Sequence, residues 1–171
     1  MERKGIVTMK GNPIVLLGDE VKVGGKAPDF EVVDQSVSAV KFSSLAGKIC
    51  VITSVPSLDT GVCDIMTRRF NKEAAGLGSD VAVLAISMDL PFAQKRWCGT
   101  ADAKNVQVLS DHRSASFGQA YGVLIKDLRL LARAVFVVDS KGIIRYSEIV
   151  PEIAQEPKYD EALNAVKELK K

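Results

Sequence analysis

The stretch Lys48-Ile49-Cys50-Val51-Ile52-Thr53-Ser54-Val55-Pro56-Ser57-Leu58-Asp59-Thr60-Gly61-Val62-Cys63 decides the fold class of this chain. Its first part, Ile49 to Val55, is an apolar and β-branched run, the pattern of a strand buried on both faces of a sheet. Pro56 ends that run because proline cannot donate to a sheet ladder. From Thr60 the period changes. Val62, Met66 and Phe70 recur at helical spacing, which predicts a helix to about Ala75, with Gly76 and Gly78 marking its end.

Working outward, the same alternation repeats. Val81 to Met88 reads as a second buried strand, and Pro91 to Cys98 as a short helix that Asp89 caps and Gly99 stops. Val106 to Leu109 is a third strand, followed by a short helix near Phe117 to Tyr121. Ala134 to Val138 and Ile143 to Ser147 flank Asp139-Ser140-Lys141-Gly142, a turn signal that predicts an antiparallel pair. An amphipathic helix carrying Ala162, Leu163, Val166 and Leu169 follows. On the N-terminal side, Gly5 to Met9 and Ile14 to Leu17 form a hairpin around Gly11-Asn12-Pro13, and short strands are expected at Phe30 to Val33 and Ala39 to Phe42. Buried strands alternating with helices predict an α/β domain with a mixed central sheet flanked by helices, a layer order that a thioredoxin-like fold fits.

With 171 residues, 47% hydrophobic and 26% charged, one domain spanning 1–171 is expected to bury roughly two-thirds of its unfolded surface without a disulfide or metal staple. A net charge of +2 provides no footprint for nucleic acid. No window reaches the length of a membrane span and no secretory h-region opens the chain, so a cytoplasmic location is expected. Thiols stay reduced there, and a persistent disulfide is usually catalytic or redox-sensing. Three cysteines therefore argue against a structural disulfide framework.

Pro56, Thr60 and Cys63 make a Pro-x-x-x-Thr-x-x-Cys pattern across the strand-to-helix junction. Thr60 is expected at the N-cap, which puts Cys63 in the first turn, where free N–H groups and the helix dipole stabilise a thiolate. This segment resembles the active site of peroxiredoxins. Continued through Thr67-Arg68-Arg69-Phe70, it resembles the bacterial thiol peroxidase subfamily of the atypical two-cysteine type. Arg96-Trp97-Cys98, Leu109-Ser110-Asp111-His112-Arg113, Phe117-Gly118, Tyr121-Gly122 and Ala132-Arg133-Ala134-Val135-Phe136-Val137-Val138-Asp139 carry the likeness over nearly the whole chain. Gly61 and Met66 depart from it, at positions where proline and a polar residue are commoner.

The resemblance implies that Cys63 is the peroxidatic residue, Cys98 the resolving one, and Pro56, Thr60 and Arg133 the rest of the site. It implies reduction of hydrogen peroxide and organic hydroperoxides, recycling by thioredoxin, a homodimer, and no flavin, haem or metal. The other readings are bland. Cys63 or Cys98 can simply pack, Arg133 can sit solvated at a strand end, and His112 can serve a turn rather than a Cys–His pair or zinc. Cys50, inside the buried strand, reads as inert core, and Arg68 and Arg69 as helix-surface residues. A redox sensor that uses the same chemistry to signal to a protein partner is the alternative function. A disulfide oxidoreductase would usually carry a Cys-x-x-Cys pair, absent here.

Overall fold

The computed structural model describes residues 1–171. Strands β1 (Glu2–Met9) and β2 (Asn12–Leu17) form the N-terminal hairpin, and β3 (Glu31–Val33) and β4 (Ala39–Lys41) a second one. They are followed by β5 (Ile49–Ser54), α1 (Gly61–Ala74), β6 (Val81–Ser87), α2 (Pro91–Ala101), β7 (Gln107–Ser110) and α3 (Ser116–Ala120). Then come β8 (Leu124–Ile125), β9 (Ala134–Val138), β10 (Ile144–Ile149) and α4 (Tyr159–Leu169).

Seven strands form one mixed sheet in the order β10-β9-β5-β6-β7-β3-β4, with β5, β6 and β7 parallel and β9 antiparallel to β5. All six residues of β5 and all five of β9 are buried, as expected of central strands covered on both faces. Side chains alternate across the sheet. Ile49, Val51, Val83, Ala85, Val135 and Val137 point toward α1, α2 and α4, packing with Cys63, Met66, Phe70, Trp97, Ala162 and Val166. Cys50, Ile52, Leu84, Ile86, Phe136 and Val138 point the other way, toward α3 and the β1-β2 hairpin, packing with Val7, Leu16, Phe117 and Tyr121. Cys50 and Cys63 thus lie in cores on opposite faces of one sheet.

The expected fold class, mixed central sheet and N-terminal hairpin are all present, but three local features differ from the sequence reading. The hairpin turns at Lys10-Gly11, both at positive φ (50° and 79°), so Asn12 and Pro13 belong to β2. A two-residue hairpin needs this primed geometry. Pro13 is tolerated because β8 pairs with β2 only at Leu16 and Leu17, which leaves its nitrogen side unpaired. Helix α2 runs through Gly99 and stops at Asp102, whose left-handed conformation (φ 52°) turns its N–H back to the Cys98 carbonyl. Its N-cap is Leu90, with no side-chain cap, because the Asp89 carboxylate is engaged elsewhere. The short β8 and a single 3-10 turn at Phe42–Leu45 carry too few residues for a period to register.

Candidate active site

Cys63 is the third residue of α1 and is fully buried. Two features of the preceding loop put it there. Pro56 is buried at the end of β5. The Asp89 carboxylate then fastens the loop, accepting from Ser57 Oγ at 2.7 Å and from the Leu58 N–H at 2.9 Å. Asp89, at the end of the neighbouring strand β6, is therefore a loop clamp rather than a helix cap.

Thr60 occupies the N-cap position with extended backbone (φ −102°, ψ 148°), but its side chain does not cap. Its hydroxyl turns back and donates to the Ser57 carbonyl at 3.0 Å. The first intrahelical bond runs from the Asp64 N–H to the Thr60 carbonyl at 2.9 Å. The N–H groups of Gly61, Val62 and Cys63 precede any intrahelical acceptor and receive none from Thr60, so they are free to face an anion. Thr60 is exposed and makes no hydrogen bond to Cys63.

Arg133 closes the site from the other side of the chain. It immediately precedes β9, and its place is set by sheet register: Ser54 pairs with Ala134, and the Ser54 hydroxyl donates to the Ala132 carbonyl at 2.7 Å. Arg133 is 2% exposed, so the solvated strand-end alternative does not hold. Nε and Nη2 donate to the Ile153 carbonyl at 3.1 and 2.8 Å, Nη2 lies 3.4 Å from Cys63 Sγ, and Nη1 lies 3.5 Å from Met66 Sδ.

These partners comprise one carbonyl and two sulfurs, and none is a carboxylate. A buried cation without a counter-charge is costly unless an anion joins it. A thiolate at Cys63, or negative charge on a bound oxygen, is the anion that this geometry accommodates. Met66, which departs from the family pattern, supplies a thioether to the guanidinium, a weaker acceptor than an amide or carboxylate.

Cys98 lies on α2, half-buried, and all three cysteines are free thiols. Burial pushes the Cys98 thiol up, opposed by Gln35, whose Nε2 donates to Sγ at 3.2 Å. Gln35 sits in the β3-β4 turn, which Asp34 Oδ1 orders by accepting from the Ser36 and Ser38 N–H groups at 2.8 and 3.0 Å. Trp97 joins the two cysteine-bearing helices, since its Nε1 donates to Asp64 Oδ1 at 2.8 Å. Burial pushes the Cys50 thiol up to about 11, in keeping with an inert core residue.

His112 Nδ1 is 2.9 Å from Ser110 Oγ within its own turn, and no cluster of three or more His, Cys, Asp or Glu residues is arranged to hold a metal. Next to it, buried Asp111 accepts from the Phe117 and Gly118 N–H groups at the start of α3, its carboxyl raised to about 6 chiefly by burial. Arg68 pairs with Asp64 and Arg69 with Glu73, both on the helix surface as expected.

A three-layer α/β domain with a free cysteine in the first turn of a helix, beside a buried arginine, defines a thiol-based redox protein. The chain belongs to the redoxin family, whose profile matches residues 22–163. It is 53% identical over 165 residues to the thiol peroxidase of Bacillus subtilis, covering 96% of this chain and 98% of that one. Identity to the thiol peroxidase of Halalkalibacterium halodurans is 55% over 161 residues, 94% of this chain and 96% of the relative. A crystal structure of a peroxiredoxin-like protein from Aquifex aeolicus superposes with a TM-score of 0.90 at 46% identity, covering 98% and 99% of the two chains.

Sequence reasoning missed Gln35, Asp64 and the Ile153 carbonyl, and read Asp89 as a helix cap. Asp89 carried a signal, its position at the end of a buried strand facing the cysteine loop. The Ile153 contact carries none, because a main-chain oxygen is the same for every residue type.

Proposed function

We propose that the chain is a thiol peroxidase in which Cys63 attacks a hydroperoxide. The thiolate attacks the terminal oxygen of ROOH, an S–O bond forms as the O–O bond breaks, sulfur gives up two electrons and becomes a sulfenic acid, and the leaving alkoxide or hydroxide takes a proton and departs as ROH or water. Cys98 then condenses with the sulfenic acid: an S–S bond forms, the S–O bond breaks, and water leaves. A thioredoxin-type dithiol reduces that disulfide and returns the enzyme to its starting state. Arg133 donates to the peroxide oxygens, Thr60 joins it once its hydroxyl turns from the Ser57 carbonyl to the bound peroxide, and Pro56 shields the sulfur from bulk water.

The observation that carries this reading is the 3.4 Å approach of the carboxylate-free Arg133 guanidinium to Cys63 Sγ. It supplies both a partner for the thiolate and a donor for charge developing on the departing oxygen. A cytoplasmic location and a homodimer belong to the same reading. No helix is long and apolar enough to cross a membrane. Leu90 and Phe92, 54% and 68% exposed at the start of α2, are apolar surface that a second copy would cover. Sedimentation velocity of the reduced protein tests the dimer, and a species of monomer mass alone overturns it.

The decisive experiment is NADPH consumption with thioredoxin, thioredoxin reductase and peroxide. Continuous turnover is expected, whereas a single stoichiometric oxidation identifies a sensor instead. In the same assay Cys98→Ser is expected to consume its first equivalent of peroxide at near-normal speed. It then stalls as a sulfenic acid and proceeds to sulfinic acid in excess peroxide. The oxidised wild type runs as a disulfide-linked monomer, with the Cys63 and Cys98 peptides joined in a mass map. A covalent dimer, or a Cys98 variant that turns over normally with thioredoxin, refutes the intramolecular resolving role of Cys98 and leaves Cys63 as the nucleophile.

A further inference from the structure

Cys63 is followed directly by Asp64, and Cys98 is preceded directly by Trp97. The hydrogen bond between Trp97 Nε1 and Asp64 Oδ1, 2.8 Å long, is therefore a tie between the two cysteine-bearing helices, one residue from each sulfur. Trp97 is 7% exposed, so losing the acceptor of its indole N–H carries a desolvation cost. Arg68 completes the cluster. Its Nε is 2.9 Å from both Asp64 oxygens, and its guanidinium lies over the indole ring, 5.7 Å from the centroid. The remaining tie across the same groove, Arg96 to Asp59 at 3.5 Å, joins side chains 71% and 60% exposed and holds little.

The two sulfurs have separate neighbours. Cys63 Sγ is packed against Arg133, and Cys98 Sγ faces Gln35. A disulfide requires the Cα atoms within about 7 Å and a defined torsion, and the first turn of α1, which has few intrahelical bonds to lose, is the element whose unwinding brings Cys63 to Cys98 at least cost. That turn contains Asp64. Unwinding breaks the bond from the Asp64 N–H to the Thr60 carbonyl and carries the Asp64 carboxylate off Trp97. Arg68 lies one turn further along the same helix, and its i,i+4 bond to Asp64 joins side chains 46% and 34% exposed, so it opposes the opening only weakly.

We propose that Asp64 is a positioning residue that times the second chemical step, its bond to Trp97 setting how long the Cys63 sulfenic acid persists before Cys98 reaches it. This inference rests on the peroxidase reading above. The sulfenic acid has two fates. Condensation with the Cys98 thiol forms the S–S bond and expels water. Attack on a second hydroperoxide breaks another O–O bond, takes two more electrons from sulfur and leaves sulfinic acid and ROH. The tie slows the first fate and leaves the second untouched, so it sets the peroxide concentration at which the enzyme inactivates itself.

The test compares wild type with Asp64→Ala, Asp64→Asn, Trp97→Phe and the Asp64→Ala/Trp97→Phe double variant, each fully reduced and with all cysteines present. Stopped-flow oxidation gives the first-step and resolution rates, and mass spectrometry gives the fraction of sulfinic acid formed per turnover as peroxide is raised. Loss of the tie is expected to speed resolution about 10-fold and to raise the peroxide concentration for half-inactivation by the same factor, with the first step changed by less than about 3-fold. Trp97→Phe keeps the ring and removes only the donor, so it matches Asp64→Ala. The double variant equals either single one, because one bond is broken once.

Trp97 is the sole tryptophan, so its fluorescence in wild type is expected to change in the resolution phase and not in the oxidation phase. Unchanged partition in both single variants, or additive effects in the double variant, overturns the proposal. Were Asp64→Ala not to fold, Asp64→Asn and Trp97→Phe decide it by the same readouts. A wild type that forms no disulfide between Cys63 and Cys98 overturns the resolving step of the peroxidase reading, and the timing proposal with it, a result distinct from a normal wild type whose variants partition as it does.

Discussion

Cys63→Ser is expected to reduce thioredoxin-coupled peroxidase activity to below a few per cent of wild type, while Cys50→Ser keeps nearly all of it. A serine hydroxyl is not ionised near neutral pH and has no sulfenic state to enter, so both the nucleophile and the intermediate are lost. Cys50 differs in place and chemistry. It lies in β5 on the far face of the sheet from Cys63, and with its thiol raised to about 11 it is about one part in ten thousand thiolate near pH 7. Steady-state assays of both variants check this. Activity in the Cys63 variant above a few per cent of wild type removes Cys63 as the nucleophile.

Arg133→Ala is expected to slow the first oxidation by about 100- to 1000-fold, the loss seen when a donor to a developing oxyanion is removed. Thiolate population does not account for a loss of that size. An ordinary cysteine is already a few per cent ionised near pH 7, so complete ionisation yields at most about 30-fold, roughly 2 kcal/mol. Enzymes commonly supply at least ~8 kcal/mol. A more acidic thiol is also an intrinsically weaker nucleophile, which shrinks the gain further. The remainder comes from aligning the O–O bond and stabilising charge on the departing oxygen.

The second-order rate, measured at a pH where both proteins are fully ionised, separates these contributions. Rates that converge there mean that Arg133 acts through ionisation alone. Arg133→Lys is expected to rescue little. A lysine ammonium is a point charge and does not reproduce the planar fork that spans the Ile153 carbonyl, the Cys63 sulfur and the Met66 sulfur.

These two predictions draw on different levels of organisation. The place of Cys63 was legible from local spacing. A buried β-branched run, a proline, and then apolar residues at Val62, Met66 and Phe70 put the thiol in the first turn of a helix, and the structure starts α1 at Gly61. The same local signals located the central strands and the C-terminal helix, because periods of two and 3.6 residues reflect which face each side chain presents. They failed where a residue had two partners to choose from. Asp89 beside Pro91 has the makings of a cap, yet its carboxylate is drawn to Ser57 and Leu58, and Thr60 has the side chain of a cap but turns it toward the Ser57 carbonyl.

What the sequence by itself determined is the alternation of buried strands and helices, the place of Cys63 at a helix start, and a family likeness that singles out Cys98 and Arg133. What only the tertiary structure decided is which groups meet. Arg133 reaches Cys63 across 70 residues and the Ile153 carbonyl across 20, Gln35 reaches Cys98 across 63, and Trp97 reaches Asp64 across 33. Periodicity specifies the face of an element and is silent on its neighbours. Those follow from strand order and register, here the pairing of Ser54 with Ala134, which the packing of the whole sheet selects.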